Sequence, residues 1–443
     1  MDRWSIVPRS FGLFSMREGS GQARICRQRM RGRLPHLFVA AALLSGTGVQ
    51  AQQGTVVAIR AGRVIPISGP EISNGIVLVR DGKIAAVGAN VAIPDGATVI
   101  NTLVVMPGVV EAHGARGMDA ANENVPVTPF VTTADGFDPV NVAIEDALRD
   151  GITTIHVLPG NATVVGGTGV IVRPTGVTVE SMLLRRPSGM KLSLLPSGGR
   201  NRMTQIEELR RAFEDYSAYM EQLAERRADQ KKKGEPEEEI DPRQSAMREL
   251  AEGRMKAFLY CPADADVIRA LDLIDTFKLR AVLVLGAECW KTAPLIAKRG
   301  LSVILDPQMI VWETEPDTGK EIRHLIPTYF QKAGVKFALQ AQPSAFGARS
   351  YWYQAATAVS FGIPRAIALR AITLTPAEII GVADRVGSIE VGKDANLVLM
   401  SGDPLEAKSW IDTVMIEGRT VYDRKTDSRL KKLLTGKEST DAP

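Results

Sequence analysis

Histidine and cysteine, the side chains that most often bind transition metals, are scarce in this sequence. The 443 residues contain four histidines and three cysteines, and those beyond residue 51 are His113, His156, His324, Cys261 and Cys289. Two cysteines cannot build a disulfide framework, and three histidines so far apart form no local metal-binding motif. A disulfide-rich scaffold is therefore excluded. The two cysteines are interpreted as free buried thiols, with one bridge between them as the alternative.

Long apolar segments are also missing. The apolar run LFVAAALL that begins at Leu37 is far shorter than the ~20 residues that a membrane-spanning helix needs. An arginine-rich stretch precedes this run, and the small-residue sequence VQA follows it and ends at Ala51. This order predicts a signal peptide over residues 1–51 and an exported protein, periplasmic or secreted, with no membrane span in the mature chain. The alternative is an N-terminal membrane anchor.

An excess of positive charge is absent from the chain beyond the leader. The whole sequence has a formal net charge of +4, but residues 1–51 hold eight arginines against one aspartate and one glutamate. The remaining chain therefore has 46 basic and 48 acidic residues. This balance gives no reason to expect nucleic acid as a partner.

Short β-branched runs separated by turn signals occupy both ends of the mature sequence. In residues 52–105 the dipeptides NG at Asn74 and DG at Asp81 separate such runs, and residues 376–425 show the same pattern. Asn-Gly and Asp-Gly favour tight turns between antiparallel strands. The two segments are predicted to form one composite domain, a small β-sandwich built from both chain ends.

The middle of the chain, residues 106–375, alternates buried apolar runs with amphipathic helical patterns. This alternation predicts an α/β fold with a parallel sheet, and the number of repeats favours a (β/α)8 TIM-like barrel. A strongly charged stretch, about residues 200–252, is predicted to be a helical insertion with an exposed loop. Residues 426–443 are predicted to be a flexible tail.

Three motifs carry a resemblance to a known family. They are MPGVVEAHGARG from Met106, GITTIHVLPGNATVVGGTG from Gly151 and VGSIEVGKDANLVLMSGDP from Val386. Together they resemble the amidohydrolase superfamily, specifically its imidazolonepropionase-like branch, over about residues 56–422. The resemblance implies a metal-dependent barrel that hydrolyses C–N bonds other than peptide bonds, with zinc or another divalent cation activating water.

The resemblance also implies a set of metal ligands, and this sequence departs from that set. The family uses a His-x-His pair on strand 1, histidines at the ends of strands 5 and 6 and an aspartate at the end of strand 8. His113 matches the first of these positions. The other four are occupied by Ala115, Tyr260, Leu285 and Gln342. Four of five ligand positions are thus substituted, which predicts a degenerate metal site with no metal cofactor and His113 as the only retained ligand position.

Four residues remain as candidates for catalysis: His113, His156, Lys191 and Glu288. Lys191 stands near the strand 4 region, where some branches of the family have a carboxylated lysine. Glu288 follows the predicted strand 6 and would lie at the barrel mouth. Asp264 and Asp266 are interpreted instead as capping residues of the following helix.

Three hypotheses follow for function. The first is a pseudoenzyme that has lost its metal and keeps the pocket for a small-molecule ligand or a partner. The second is an active hydrolase of C–N bonds in small cyclic amides or peptides, which would use an unusual site. The third is a non-catalytic subunit of an assembly with an intact homologue. For partners, the sequence leaves both a homo-oligomer and such a hetero-oligomer open.

Overall fold

The computed structural model describes residues 56–342 and 350–436. The predicted signal peptide of residues 1–51 and residues 437–443 of the predicted tail lie outside the described residues. Within the described ranges, no helix is both long enough and apolar enough to cross a bilayer.

The strands and helices follow one another along the whole described chain. The strands are β1 (Val56–Val64), β2 (Ile72–Arg80), β3 (Lys83–Gly88), β4 (Thr98–Pro107), β5 (Val109–Gly114), β6 (Ile152–Val157), β7 (Val165–Thr168), β8 (Val170–Val172), β9 (Leu183–Arg185), β10 (Met190–Ser193), β11 (Ala257–Cys261), β12 (Ala281–Leu285), β13 (Val303–Ile304), β14 (Ile310–Thr314), β15 (Glu321–Leu325), β16 (Phe337–Ala338), β17 (Leu397–Met400), β18 (Ile411–Ile416) and β19 (Arg419–Asp423). The α-helices are α1 (Val142–Arg149), α2 (Val179–Met182), α3 (Arg202–Lys233), α4 (Ser245–Ala251), α5 (Asp264–Phe277), α6 (Ala293–Lys298), α7 (Ile326–Lys332), α8 (Tyr351–Ser360), α9 (Arg365–Arg370), α10 (Leu374–Ile380) and α11 (Ser428–Thr435). Short 3-10 helices occur at Thr133–Asp135, Pro242–Gln244 and Ala287–Thr292.

Strands from both ends of the chain form one seven-stranded sheet, as the composite domain required. Its order is β19-β18-β17-β4-β1-β2-β3. The junction between the two chain ends is the antiparallel pair β4–β17, in which Val105 lies opposite Leu399. Both residues are buried in one apolar cluster, so burial of the β-branched and leucine side chains holds the two ends together.

The middle of the chain forms a barrel of eight successive strand segments, with a ninth short segment that closes the ring. One parallel pair joins β5 to β6. A second series of parallel pairs joins β10, β11, β12, β13 and β16 in that order. Residues 165–172 fill the gap between β6 and β10, and they run antiparallel to both. The ring closes through the segment at Ala371 and Ile372: Leu339 N donates to Ala371 O, and Val110 N donates to Ile372 O. The TIM-like prediction is confirmed, with one antiparallel segment.

The charged stretch and the tail both contain helices. The charged stretch holds α3 and α4, joined by an exposed loop. Within the predicted tail, residues 428–435 form α11. The Asp427 side chain accepts a hydrogen bond from Leu430 N at 3.0 Å and an ion pair from Arg149 at 2.8 Å, which caps the helix and attaches it to α1.

Candidate functional site

A cavity of about 900 Å³ opens at the carboxyl ends of the barrel strands. All five positions that the resemblance identifies line it: His113, Ala115, Tyr260, Leu285 and Gln342. This is the end of a TIM-like barrel where active sites are built, because the strand ends and their loops converge there. A second cavity of about 940 Å³ lies between α8 and α11, and none of the predicted site residues lines it.

His113 has partners at both ring nitrogens. Lys191 Nζ lies 2.7 Å from His113 Nε2, and Gln340 Nε2 lies 3.2 Å from His113 Nδ1. Burial and the nearby Lys191 lower the pKa of His113 well below its ordinary value. The imidazole is therefore neutral near pH 7, and both its nitrogens are already used within the protein.

Lys191 is a fully buried amine on β10. Burial lowers its pKa from 10.5 to about 7, since no carboxylate among the described residues forms an ion pair with it. Its Nζ also lies 5.4 Å from the centroid of the Tyr260 ring, and burial raises the pKa of Tyr260 to about 12. The amine thus lies just beneath the cavity, between two side chains that line it.

His156 lies deeper in the barrel and does not line the cavity. Its Nδ1 donates to Ala112 O at 2.8 Å, and its Nε2 accepts from Ser188 Oγ at 2.8 Å. Burial lowers its pKa to about 3. The structure therefore places His156 as a satisfied neutral side chain that joins β6, β5 and the loop before β10.

The structure does not bring Glu288 to the cavity. β12 ends at Leu285, and the chain turns at Gly286 into the 3-10 helix Ala287–Thr292. This turn leaves Glu288 exposed and away from the residues that line the cavity. Asp266, by contrast, is the predicted cap, since its carboxylate accepts from Ala263 N at 3.1 Å.

A neighbour of two of the assigned positions also lines the cavity: Val284 beside Leu285, and Gln340 near Gln342. Tyr260 lies beside Val284 in the parallel pair β11–β12, and Val284 belongs to the inner apolar cluster of the barrel. Leu285 belongs to the outer cluster between the barrel and its helices. Successive strand residues alternate between faces, so Val284 is the inward residue at this strand end. After β16, Gln340 contacts His113, and Gln342 also lines the cavity.

The cavity also contains charged residues that sequence reasoning did not identify. Arg116 forms a buried ion pair with Glu111, in which Nε lies 2.6 Å from Oε2. Asp150 and Asp306 line the cavity as well. Burial raises the pKa of Asp150 to about 6 and also raises that of Asp306. Glu111 and Arg116 both lie within the motif MPGVVEAHGARG. A charged pair five residues apart, however, has no recognised sequence signature.

The donor set of this cavity does not fit a catalytic divalent metal. Zinc sites need at least three protein donors. Across residues 56–342 and 350–436, no three histidine, cysteine, aspartate or glutamate side chains come together in a way that could hold an ion. Ala115 and Val284 have no donor atom, the Tyr260 phenol keeps its proton, and the Lys191 amine lies against His113 Nε2.

Sequence comparisons find related proteins. A model of the Amidohydrolase family matches residues 344–421. The amidohydrolase tasK of Hapsidospora irregularis is 26% identical over 359 residues, which cover 71% of this chain and 35% of that protein. The chain therefore spans about a third of the length of this curated relative.

Solved structures agree in fold. An amidohydrolase from Thermotoga maritima MSB8 has a TM-score of 0.74 and 28% identity, covering 83% of this chain and 100% of that chain. A prolidase in complex with N-methylphosphonate-L-proline has a TM-score of 0.52 and 17% identity, covering 84% of this chain and 100% of that one, and shares the fold. The barrel, the composite sheet and these likenesses lead to one conclusion: this chain belongs to the amidohydrolase superfamily.

Proposed function

We propose that this chain is a pseudoenzyme of the amidohydrolase superfamily, which binds a small molecule in its barrel-mouth cavity without a catalytic metal. The observation that carries the proposal is the contact of 2.7 Å between Lys191 Nζ and His113 Nε2. The one histidine retained at a family ligand position directs this nitrogen at an amine. The other four positions offer no carboxylate or imidazole.

The residues that remain suit binding better than hydrolysis. The family generally depends on a divalent metal, which lowers the pKa of bound water so that hydroxide forms near neutral pH. Neither the neutral His113 nor the amide of Gln340 can supply the positive charge by which a metal ion lowers the pKa of water. The cavity nevertheless keeps a volume of about 900 Å³ with polar and apolar walls, which suits a small organic molecule.

Metal content tests the proposal directly. We expect the purified mature protein to carry well under one equivalent of zinc, manganese, iron or nickel after growth in metal-supplemented medium, because the cavity has too few donors. Elemental analysis of the protein and of its His113→Ala variant is the measurement. Stoichiometric metal in the parent that is lost in the variant would show an active metal centre and refute the pseudoenzyme.

We also propose that the chain is exported, on the evidence of its arginine-rich, then apolar, then small-residue leader. The mature protein is expected to begin at Gln52, because VQA places small residues at both recognition positions before the cut. Intact-mass analysis of protein from the periplasm and medium of a bacterial host, expressed with its full leader, measures this. A product that keeps residues 37–51 would instead favour the membrane anchor.

A further inference from the structure

The ion pair between Glu111 and Arg116 is built into the wall of the cavity. Glu111 is 4% exposed and Arg116 is 9% exposed. The fold makes room for the pair at Gly114, where a Cβ atom would lie 2.0 Å from Glu111 Oε1. The carboxylate therefore occupies the space that a side chain at position 114 would need, and from there it fixes the guanidinium of Arg116.

Arg116 has hydrogen-bonding capacity that the protein does not use. Its Nε donates to Glu111, but neither terminal nitrogen has a hydrogen-bond partner among the described residues. Neither nitrogen is among the fully buried atoms without a partner in the described residues, so both keep some exposed surface, and Arg116 lines the cavity. A buried arginine that is held at Nε by a carboxylate presents its two terminal nitrogens as a rigid, planar set of donors.

We propose that Arg116 binds the carboxylate group of the small molecule that occupies the cavity, with Glu111 as the residue that positions it. This assignment rests on the proposed function, because it names the chemistry of the ligand that the cavity would hold. A planar carboxylate matches the terminal edge of a guanidinium with two parallel hydrogen bonds.

The other charges in the cavity favour a carboxylate over a phosphate. Asp150 and Asp306 also line the cavity and form no ion pair among the described residues. Their negative charge repels a doubly charged anion more strongly than a singly charged one. Arg149 cannot offset this charge, because it is already paired with Asp146 at 3.1 Å and with Asp427 at 2.8 Å. Arg116 is thus the cation in the described cavity wall whose terminal nitrogens remain open.

Asp150 offers a substitution that should strengthen carboxylate binding. It lies close enough to Arg116 for the two charges to interact, yet it forms no ion pair within 4 Å among the described residues. Removing its charge should leave the Arg116–Glu111 pair intact and reduce the repulsion that a bound carboxylate meets. Asp150→Asn is therefore expected to bind carboxylates more tightly than the parent does.

The experiment uses matched probes on the full mature protein. Benzoate, hippurate and N-acetylproline are compared with their neutral primary amides by calorimetric titration, with inorganic phosphate as a separate arm. We expect at least one carboxylate to bind at least about tenfold more tightly than its amide, as a charge-assisted arginine contact predicts. Phosphate should bind more weakly than that carboxylate. Absence of any carboxylate preference, or tighter binding of phosphate, would overturn the assignment.

Variants attribute the preference to Arg116. Arg116→Gln should abolish it, and Glu111→Gln combined with Arg116→Gln should do the same without leaving a buried carboxylate unpaired. Arg149→Gln is the matched control, since it removes another arginine of the same cavity and should leave the preference unchanged. A preference that survives both Arg116 variants in folded protein, or is lost only in Arg149→Gln, refutes the proposal. Elemental analysis of the same samples tests the absence of a catalytic metal separately. A failure of the carboxylate proposal can therefore be distinguished from a failure of the pseudoenzyme proposal.

Discussion

Replacing Lys191 with methionine is expected to stabilise the protein by several kcal/mol at pH 6.5, although it removes the hydrogen bond to His113. The reason is the burial of the amine, which lowers its pKa from 10.5 to about 7. Each unit of pKa shift corresponds to about 1.4 kcal/mol of folding free energy. Methionine has a similar length and no charge to desolvate, so it avoids this cost.

The pH dependence of this gain has a definite sign. Between pH 7 and pH 10.5 the unfolded chain binds a proton at Lys191 that the folded chain does not, so the free energy of unfolding of the parent rises with pH. Below pH 7 the penalty is fully present, and near pH 10.5 it vanishes. The advantage of Lys191→Met should therefore be largest at pH 6.5 and should shrink steadily toward pH 10.

Urea unfolding of the parent and the variant at pH 6.5, 8 and 9.5 measures this difference. Lys256→Met is the matched control, because burial also lowers the pKa of Lys256 but this residue is only half-buried and its Nζ donates to Ile379 O at 2.6 Å. We expect a smaller gain there. A Lys191→Met variant that is less stable at pH 6.5, or equally favoured at all three pH values, would show that Lys191 is not buried as an unpaired amine.

Much of the fold could be predicted from the sequence because hydrophobic alternation and turn dipeptides are local signals. The antiparallel segment at residues 165–172 could not. Its run GGTG is typical of a loop, yet the structure uses these glycines for close packing, since a Cβ at Gly169 would lie 2.6 Å from Val157 O. A glycine that permits close approach and a glycine that makes a turn have the same sequence signature.

The residues of the candidate site could also be predicted from the sequence only in part. The sequence identified five positions that line one cavity, because strand ends can be located to within a residue or two. Which face of a strand a residue occupies changes with every residue, so the sequence does not decide between Leu285 of the outer cluster and Val284 of the inner cluster, both of which line the cavity. Glu288 was assigned to the barrel mouth for a related reason: the turn after β12 could not be predicted.

Rebuilding a metal site tests the assignment of Val284 and Gln340 as the positions that face His113. Four substitutions, Ala115→His, Tyr260→His, Val284→His and Gln340→Asp, should surround His113 with a complete set of donors. We expect this variant to bind zinc, and the parent to bind it at least about a hundredfold more weakly, because several protein donors must converge before zinc is held. Titration with zinc against a chelating dye measures the affinity. Hydrolytic activity should remain weak, since the partners that orient metal ligands are missing.

The matched control is the variant that follows the positions predicted from the family resemblance, with Leu285→His and Gln342→Asp in place of the changes at Val284 and Gln340. Leu285 belongs to the outer cluster, so a histidine there should disturb the packing of the barrel against its helices and add no ligand. Zinc affinity should therefore be at least about tenfold weaker in this control than in the first variant. Equal affinities would show that Val284 and Leu285, and likewise Gln340 and Gln342, are equivalent at the cavity. If neither folded variant binds zinc, then these positions do not converge on one metal ion. The stretch MPGVVEAHGARG would then not be part of a degenerate metal site.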